Sequence, residues 1–124
     1  GRMEAGATPP QEAMKQYEVW WANLPAPVGR RPVLLLSRDV AYEFLTNVLV
    51  VEVTTKIRGR PQEVSLGRRE GLTQRCVANF DNLHSVRKDC LQKRLGAIGR
   101  FRIPEVKRAV GYALGWPELT MPEV

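Results

Sequence analysis

The sequence predicts an α+β domain in which a small, strongly curved antiparallel sheet is followed by one C-terminal helix. Six short segments between residues 17 and 98 have the composition or alternation of β-strands, and Pro- and Gly-containing turns separate most of them. A longer run of helical spacing follows over residues 104–114. The chain has 124 residues, of which 44% are hydrophobic, so it is long enough for one domain with its own core.

The first two predicted strands form a hairpin. Residues 17–24 (YEVWWANL) are rich in aromatic and β-branched residues, which favour a strand. Trp20 and Trp21 must then lie on opposite faces, one in the core and the other on a ligand or partner surface or under a loop. Residues 25–29 (PAPVG) form a turn, and the loop of the hairpin ends at Arg30 and Arg31.

The second and third strands predict an anion site. Pro32 biases Arg31 toward an extended backbone at the entrance of the apolar run 33–36, which directs the guanidinium. One helical turn is expected within residues 37–46, and the third strand covers residues 48–55. If the two strands pair antiparallel, Arg31 and Thr54 share one end of the sheet. A cation beside a hydroxyl is a small anion site, and phosphate is the anion a basic chain meets most often.

The remaining elements follow in order. Residues 56–61 (KIRGRP) are a basic loop that we expect to order on binding, residues 63–66 a short strand, 67–71 a turn, and 76–83 and 94–98 two further strands. Pro104 opens the helix at a position where its missing amide hydrogen does no harm. Gly115 and Pro117 end it.

Both chain ends are expected to lie outside the domain. Residues 1–16 lack periodicity and predict a flexible leader, with a helical tendency over 12–16, and Gly1-Arg2-Met3 is typical of a cloning remnant. The domain then covers residues 17–117, and 118–124 form a tail. Neither a signal peptide nor an apolar run of membrane-spanning length is visible, which favours a cytoplasmic protein.

The charge distribution favours an acidic partner. The formal net charge is +6 and the pI is about 9.8. Residues 87–108 alone carry this excess, so we expect phosphate contact there. Cys76 and Cys90 have no Cys or His at metal spacing, which predicts reduced, buried or partly buried thiols and no zinc site.

These residues resemble the MazF/PemK (Kid) toxins of bacterial toxin–antitoxin systems. The resemblance covers about residues 17–116. It rests on the Leu24-Pro25 strand end, on residues 29–36 (GRRPVLLL), 50–55 (VVEVTT), 71–72 and 76–77, and on Leu91 followed by Ile98-Gly99. It implies the SH3-like barrel shared by MazF and CcdB toxins, and a homodimer. It further implies sequence-selective cleavage of single-stranded RNA without metal or other cofactor, and a MazE-type antitoxin that competes with RNA for the groove near Arg31 at the dimer interface.

In the family's motif the Arg before Pro and the Thr that closes the next long strand are catalytic, which implies that Arg31 and Thr54 act here. The implied reaction is attack of the ribose 2′-OH on the adjacent phosphorus, giving a 2′,3′-cyclic phosphate and a 5′-OH end. His84, the one histidine, could act as acid or base. The substrate-binding candidates are Arg30, Ser37, Thr55, Lys56, Asp81, Asn82 and His84.

Three points stay open at this stage. Relatives often carry a longer loop before the Arg-Pro, with an acidic residue that is a candidate general base, and here it is cut to Ala26–Gly29. The cut sequence and the choice among mRNA, ribosomal RNA and tRNA are also undetermined. The alternative functions are a CcdB-like toxin that inhibits gyrase by protein contact and, third, an RNA-binding barrel without catalysis; both would leave RNA uncut.

Overall fold

Six antiparallel strands form one sheet in the computed structural model, which describes residues 13–121, and the sheet curls into a half-barrel. The strand order is β4-β5-β3-β2-β1-β6. The strands are β1 (Glu18–Asn23), β2 (Arg30–Leu35), β3 (Asn47–Thr54), β4 (Glu63–Leu66), β5 (Cys76–Arg87) and β6 (Leu91–Ala97); the α-helices are α1 (Ala41–Phe44), α2 (Ile103–Leu114) and α3 (Pro117–Thr120). Short 3-10 turns cover Arg68–Glu70, Lys88–Cys90 and Arg100–Arg102. The predicted α+β class and curved sheet are confirmed.

The β1–β2 hairpin forms as predicted. Asn23 pairs with Arg30, and the Leu24 amide donates to the Gly29 carbonyl at 3.0 Å. Gly29 has a φ of 71°, a left-handed conformation that glycine adopts without strain. The turn therefore places Arg30 and Arg31 at one end of the sheet.

Apolar side chains pack on both faces of the sheet. One cluster contains Val51 and Val53 of β3 together with Val106 and Ala109 of α2. The cluster on the other face contains Trp20, Val33, Leu35 and Val50, together with Ala41 and Tyr42 of α1. Trp20 is buried and Trp21 is half-buried on the opposite face, as strand alternation predicts.

β5 is longer than the sequence predicted. Val51 of β3 pairs with Leu83, whereas Val53 pairs with Ala78, so residues 79–82 bulge opposite Glu52. Beyond the bulge β5 continues to Arg87 because it pairs with β3 as far as Asn47. Strand pairing therefore overrides the polar local sequence there. The bulge places the middle of β5 beside the end of β3.

The described parts of the two chain ends pack against the domain. Residues 13–16 form no helix; Met14 is buried, and the Gln16 amide donates to the Asp39 carboxylate at 2.8 Å. Packing thus begins before residue 17, and the rest of the predicted leader, residues 1–12, lies outside the described residues. At the other end α2 stops at Gly115 as predicted. The first part of the predicted tail forms α3, whose Leu119 lies close to Gly111 of α2.

Within residues 13–121, no helix has the length and apolar character needed to cross a bilayer.

Candidate active site

Arg31 and Thr54 line the same pocket. Val33 of β2 pairs with Glu52 of β3, and extending this antiparallel register by two residues brings Arg31 opposite Thr54 at the end of the sheet. The pocket has a volume of about 310 Å³, and its other lining residues are Lys56, Arg58, Asn79 and Asn82. Arg31 and Thr54 therefore lie together, as the sequence predicts. Lys56 and Arg58 add two further cations to the pocket.

Glu52 connects this pocket to the interior. Its side chain is 8% exposed, and its Oε1 accepts a hydrogen bond from Arg31 Nη1 at 3.0 Å. Two-residue spacing in β3 puts Glu52 on the same face as Thr54. Glu52 is not among the residues predicted from the sequence, although its single charge inside an apolar strand is a visible signal.

His84 is the second partner of Glu52. Its Nε2 contacts Glu52 Oε2, and its side chain is 39% exposed. An ionised carboxylate only accepts hydrogen bonds, so this contact places the imidazole hydrogen on Nε2 and leaves Nδ1 as the nitrogen able to accept a proton. His84 is thus linked to Arg31 through Glu52 rather than by lining the pocket itself.

The Thr54 hydroxyl is oriented by the start of the next loop. Its Oγ1 accepts a hydrogen bond from the Lys56 amide at 3.1 Å, which leaves the hydroxyl hydrogen for another acceptor. The loop is held by the Glu63 carboxylate, which accepts hydrogen bonds from the backbone amides of Arg58 at 3.2 Å and Gly59 at 2.9 Å. We expected ligand binding to order this loop, but the protein's own Glu63 holds it.

The bulge in β5 supplies amide groups. Asn79 and Asn82 line the pocket, and Asn79 Oδ1 accepts a hydrogen bond from the Asp81 amide at 3.0 Å. The Asp81 carboxylate accepts one from Gln62 Nε2 at 2.7 Å. Of the predicted pair, Asn82 therefore faces the pocket and Asp81 anchors a neighbouring side chain. Asn79 was missed because its position depends on the bulge.

Three predicted substrate-binding residues lie elsewhere. Ser37 follows the opposite end of β2 from Arg31, and its hydroxyl accepts a hydrogen bond from the Leu49 amide at 2.8 Å. Thr55 lines a separate, mostly apolar pocket of about 180 Å³ beside Trp21. The Arg30 guanidinium lies 4.2 Å from the centre of the Trp21 ring. The structure does not bring these three side chains to the Arg31–Thr54 pocket.

Four of the eight basic residues between 87 and 108 have partners inside the protein. Arg87 pairs with Asp89, Arg94 with Glu18, and Arg102 with both Glu70 and Glu105, while Lys88 Nζ donates to the Tyr42 carbonyl. The hydrogen bond from Arg102 lowers the pKa of the Glu105 carboxyl. Some of the cations expected to contact phosphate are thus used in ion pairs that hold β6 and α2 in place.

Residues 13–121 contain no cluster of three His, Cys, Asp or Glu side chains suited to hold a metal ion. Cys76 is buried and Cys90 half-buried, and both are free thiols, as predicted. Burial raises the pKa of both thiols. Neither cysteine lines the pocket that contains Arg31.

Comparison with known proteins agrees with this geometry. Residues 15–114 match the family model described as a PemK-like, MazF-like toxin of type II toxin–antitoxin systems. The chain is 39% identical over 98 residues to the probable endoribonuclease MazF5 of Mycobacterium tuberculosis, covering 78% of this chain and 89% of that protein.

Solved structures of similar fold include the Mycobacterium tuberculosis toxin MazF-mt6, with a TM-score of 0.74, 33% identity and coverage of 79% of this chain and 96% of that one. A mycobacterial endoribonuclease in complex with its cognate antitoxin has a TM-score of 0.72 and 28% identity, with coverage of 85% and 98%. The chain therefore belongs to the family of PemK-like, MazF-like toxins of type II toxin–antitoxin systems.

Proposed function

We propose that this protein is an endoribonuclease toxin that cleaves single-stranded RNA at the Arg31–Thr54 pocket. The observation that carries the proposal is the convergence of Arg31 and Thr54 from two adjoining strands in a pocket walled by Lys56 and Arg58. A guanidinium, a hydroxyl and two further cations suit one phosphodiester group. The relatives named endoribonuclease MazF support the same reaction class.

The proposed reaction is an intramolecular transesterification. The ribose 2′-oxygen forms a bond to the adjacent phosphorus as the bond from phosphorus to the 5′-oxygen breaks, which leaves a 2′,3′-cyclic phosphate and a 5′-OH end. The 2′-OH gives its proton to a base, and the departing 5′-oxygen takes one up. Nδ1 of His84, which is linked to the pocket through Glu52, is the candidate base for the 2′-OH proton, and solvent water can protonate the departing 5′-oxygen.

Charge stabilisation is assigned to side chains rather than to a metal. Negative charge builds on the non-bridging oxygens in the transition state, where an oriented donor is worth about 3 to 4 kcal/mol. Arg31 supplies a guanidinium aimed by Glu52, and Thr54 adds a hydroxyl donor. Because these groups and the neighbouring cations can meet the developing charge, we propose that cleavage needs no divalent ion.

Sequence selectivity is assigned to the pocket wall. The amide side chains of Asn79 and Asn82 each carry a donor and an acceptor, which can pair with the base edges of an unstacked nucleotide. Lys56 and Arg58 offer positive charge to the backbone of the strand on either side. The bulge and the loop over residues 56–61 would then decide which bases are accepted.

The proposed regulator is an acidic, MazE-type antitoxin. A mycobacterial relative was solved in complex with its cognate antitoxin, and the net charge of +6 here suits an acidic partner segment. We propose that the toxin is a cytoplasmic bacterial homodimer, and that the antitoxin competes with RNA near Arg31. The antitoxin's inhibition should weaken as the salt concentration rises.

Incubation with a long single-stranded RNA in EDTA tests the proposal. Wild-type protein should cleave the RNA despite chelation and leave 2′,3′-cyclic phosphate ends, whereas Arg31→Ala should leave it intact over the same period. Arg38→Ala is the matched control, because this exposed arginine follows the other end of β2. Uncut RNA would refute the proposal, and gyrase inhibition in the same preparation would favour action by protein contact instead.

A further inference from the structure

Glu52 differs from the other buried carboxylates of the described chain in the kind of group that it hydrogen-bonds. Within residues 13–121 the buried acidic side chains are Glu18, Glu52 and Glu70. Glu18 accepts hydrogen bonds from the Lys15 amide and Glu70 from the Gly67 amide, and each also pairs with an arginine, so both tie backbone segments together. In the same part of the chain, the Glu52 carboxylate hydrogen-bonds only to side chains at the site, those of Arg31 and His84.

A carboxylate at this position is costly for the fold. Burying an ionised group costs several kcal/mol before its partners compensate, and a well-packed apolar residue is often as stable or more stable. The neighbours of Glu52 in β3 are Val51 and Val53, so a valine would continue the strand. The two side-chain contacts are what the carboxylate adds, and both lead to the pocket.

We propose that Glu52 is a positioning residue that orients Arg31 and His84 together; this inference rests on the proposed function. Its Oε1 accepts a hydrogen bond from Nη1 of Arg31, which orients the guanidinium group. Nη2 and Nε of the same group then stay available to a phosphate. Its Oε2 holds the Nε2 hydrogen of His84, so the basic nitrogen is always Nδ1. One buried group thus sets the direction of the anion donor and the tautomer of the imidazole.

Glu52→Gln tests this inference because it preserves size and removes the charge. The amide oxygen can still accept from Arg31, but its NH2 group would then face His84 and favour the tautomer protonated on Nδ1. We expect kcat to fall by about 10- to 100-fold, by analogy with groups that orient a metal-binding side chain, whose loss costs that much activity. KM should change less than kcat, since Lys56 and Arg58 still attract RNA.

The matched controls are Glu18→Gln and Glu70→Gln. Each removes the charge of a buried, arginine-paired carboxylate that does not line the pocket. If kcat, measured on folded protein, falls as far in these variants as in Glu52→Gln, the loss is a general effect of removing a buried charge and the inference is wrong. A wild-type enzyme that does cleave RNA, but no faster than Glu52→Gln, also overturns it.

A second readout does not depend on cleavage. The 15N chemical shifts of the two imidazole nitrogens report which one carries the hydrogen in neutral His84. Wild type should show the form protonated on Nε2, and Glu52→Gln should shift the population toward Nδ1. An identical tautomer in both proteins overturns the inference even if RNA is never cleaved, whereas absent cleavage with the expected shift counts against the proposed function alone.

Discussion

Replacing Arg31 by alanine should slow RNA cleavage far more than it destabilises the protein. The guanidinium has two contacts in the proposed mechanism, the scissile phosphate and the Glu52 carboxylate at 3.0 Å. Its side chain is 35% exposed, so the pocket and solvent both reach it. Alanine removes the donor from the phosphate and leaves Glu52 with His84 as its partner.

The two losses have different magnitudes. Removing one oriented donor from an anionic transition state costs about 2.7 to 4 kcal/mol, or about 100- to 1,000-fold in kcat. Breaking a fully buried ion pair costs about 3 to 5 kcal/mol of folding stability, but here the remaining contact with His84 and the exposure of Arg31 reduce the expected cost to about 1 to 2 kcal/mol.

Arg31→Lys separates charge from geometry. The lysine ammonium keeps the positive charge but cannot hold Glu52 and present a planar fork to the phosphate at the same time. We expect it to recover at most about tenfold of the rate lost in Arg31→Ala, which corresponds to about 1.4 kcal/mol.

The assay is initial-rate cleavage of a fluorogenic oligonucleotide placed around a mapped cut site, with urea unfolding followed by tryptophan fluorescence on the same preparations. If folded Arg31→Ala retains a kcat within about twofold of wild type, which is the scatter of a neutral surface change, Arg31 is not the anion donor. The Arg38→Ala control should fall within that scatter.

Further predictions concern the Thr54 hydroxyl, the close contact of Gly71 with the backbone of β6, and the Arg102–Glu105 ion pair. Thr54→Val should lower kcat by about tenfold or more without unfolding the protein, as the loss of a hydrogen bond to a charged group predicts; equal rates would contradict this. A Cβ on Gly71 would lie 1.9 Å from a backbone oxygen of β6, so Gly71→Ala should lower the free energy of unfolding in urea by more than about 3 kcal/mol. Gly59 has a similar positive φ but open space around it, so Gly59→Ala should lower that free energy by only about 1 kcal/mol. Arg102 lowers the pKa of Glu105 below its ordinary 4.5, so this pair's stabilisation is present above that pH and is lost as the pH falls through the folded-state value. Glu105→Gln should therefore flatten the decrease in unfolding temperature on acidification, and parallel curves would refute it.

Local pattern was sufficient to predict the order of the six strands and α2, together with part of the proposed site. Strand alternation put Trp20 and Trp21 on opposite faces, turn residues predicted the hairpin, and helical spacing predicted α2. The approach of Arg31 to Thr54 followed from one assumption, that their strands pair antiparallel. These features depend on residues close in sequence or on a single pairing, which a sequence displays directly.

Only the tertiary structure decided how the pocket is completed. Glu52 and His84 are 32 positions apart, and they meet because the bulge at residues 79–82 changes the register between β3 and β5. The packing also pairs four of the eight basic side chains between 87 and 108 with groups of the same chain. Register shifts and the choice of ion-pair partners depend on many contacts between residues that are distant in sequence. The amino-acid sequence by itself therefore determined where the strands lie, whereas the assembled sheet determined which of their side chains meet.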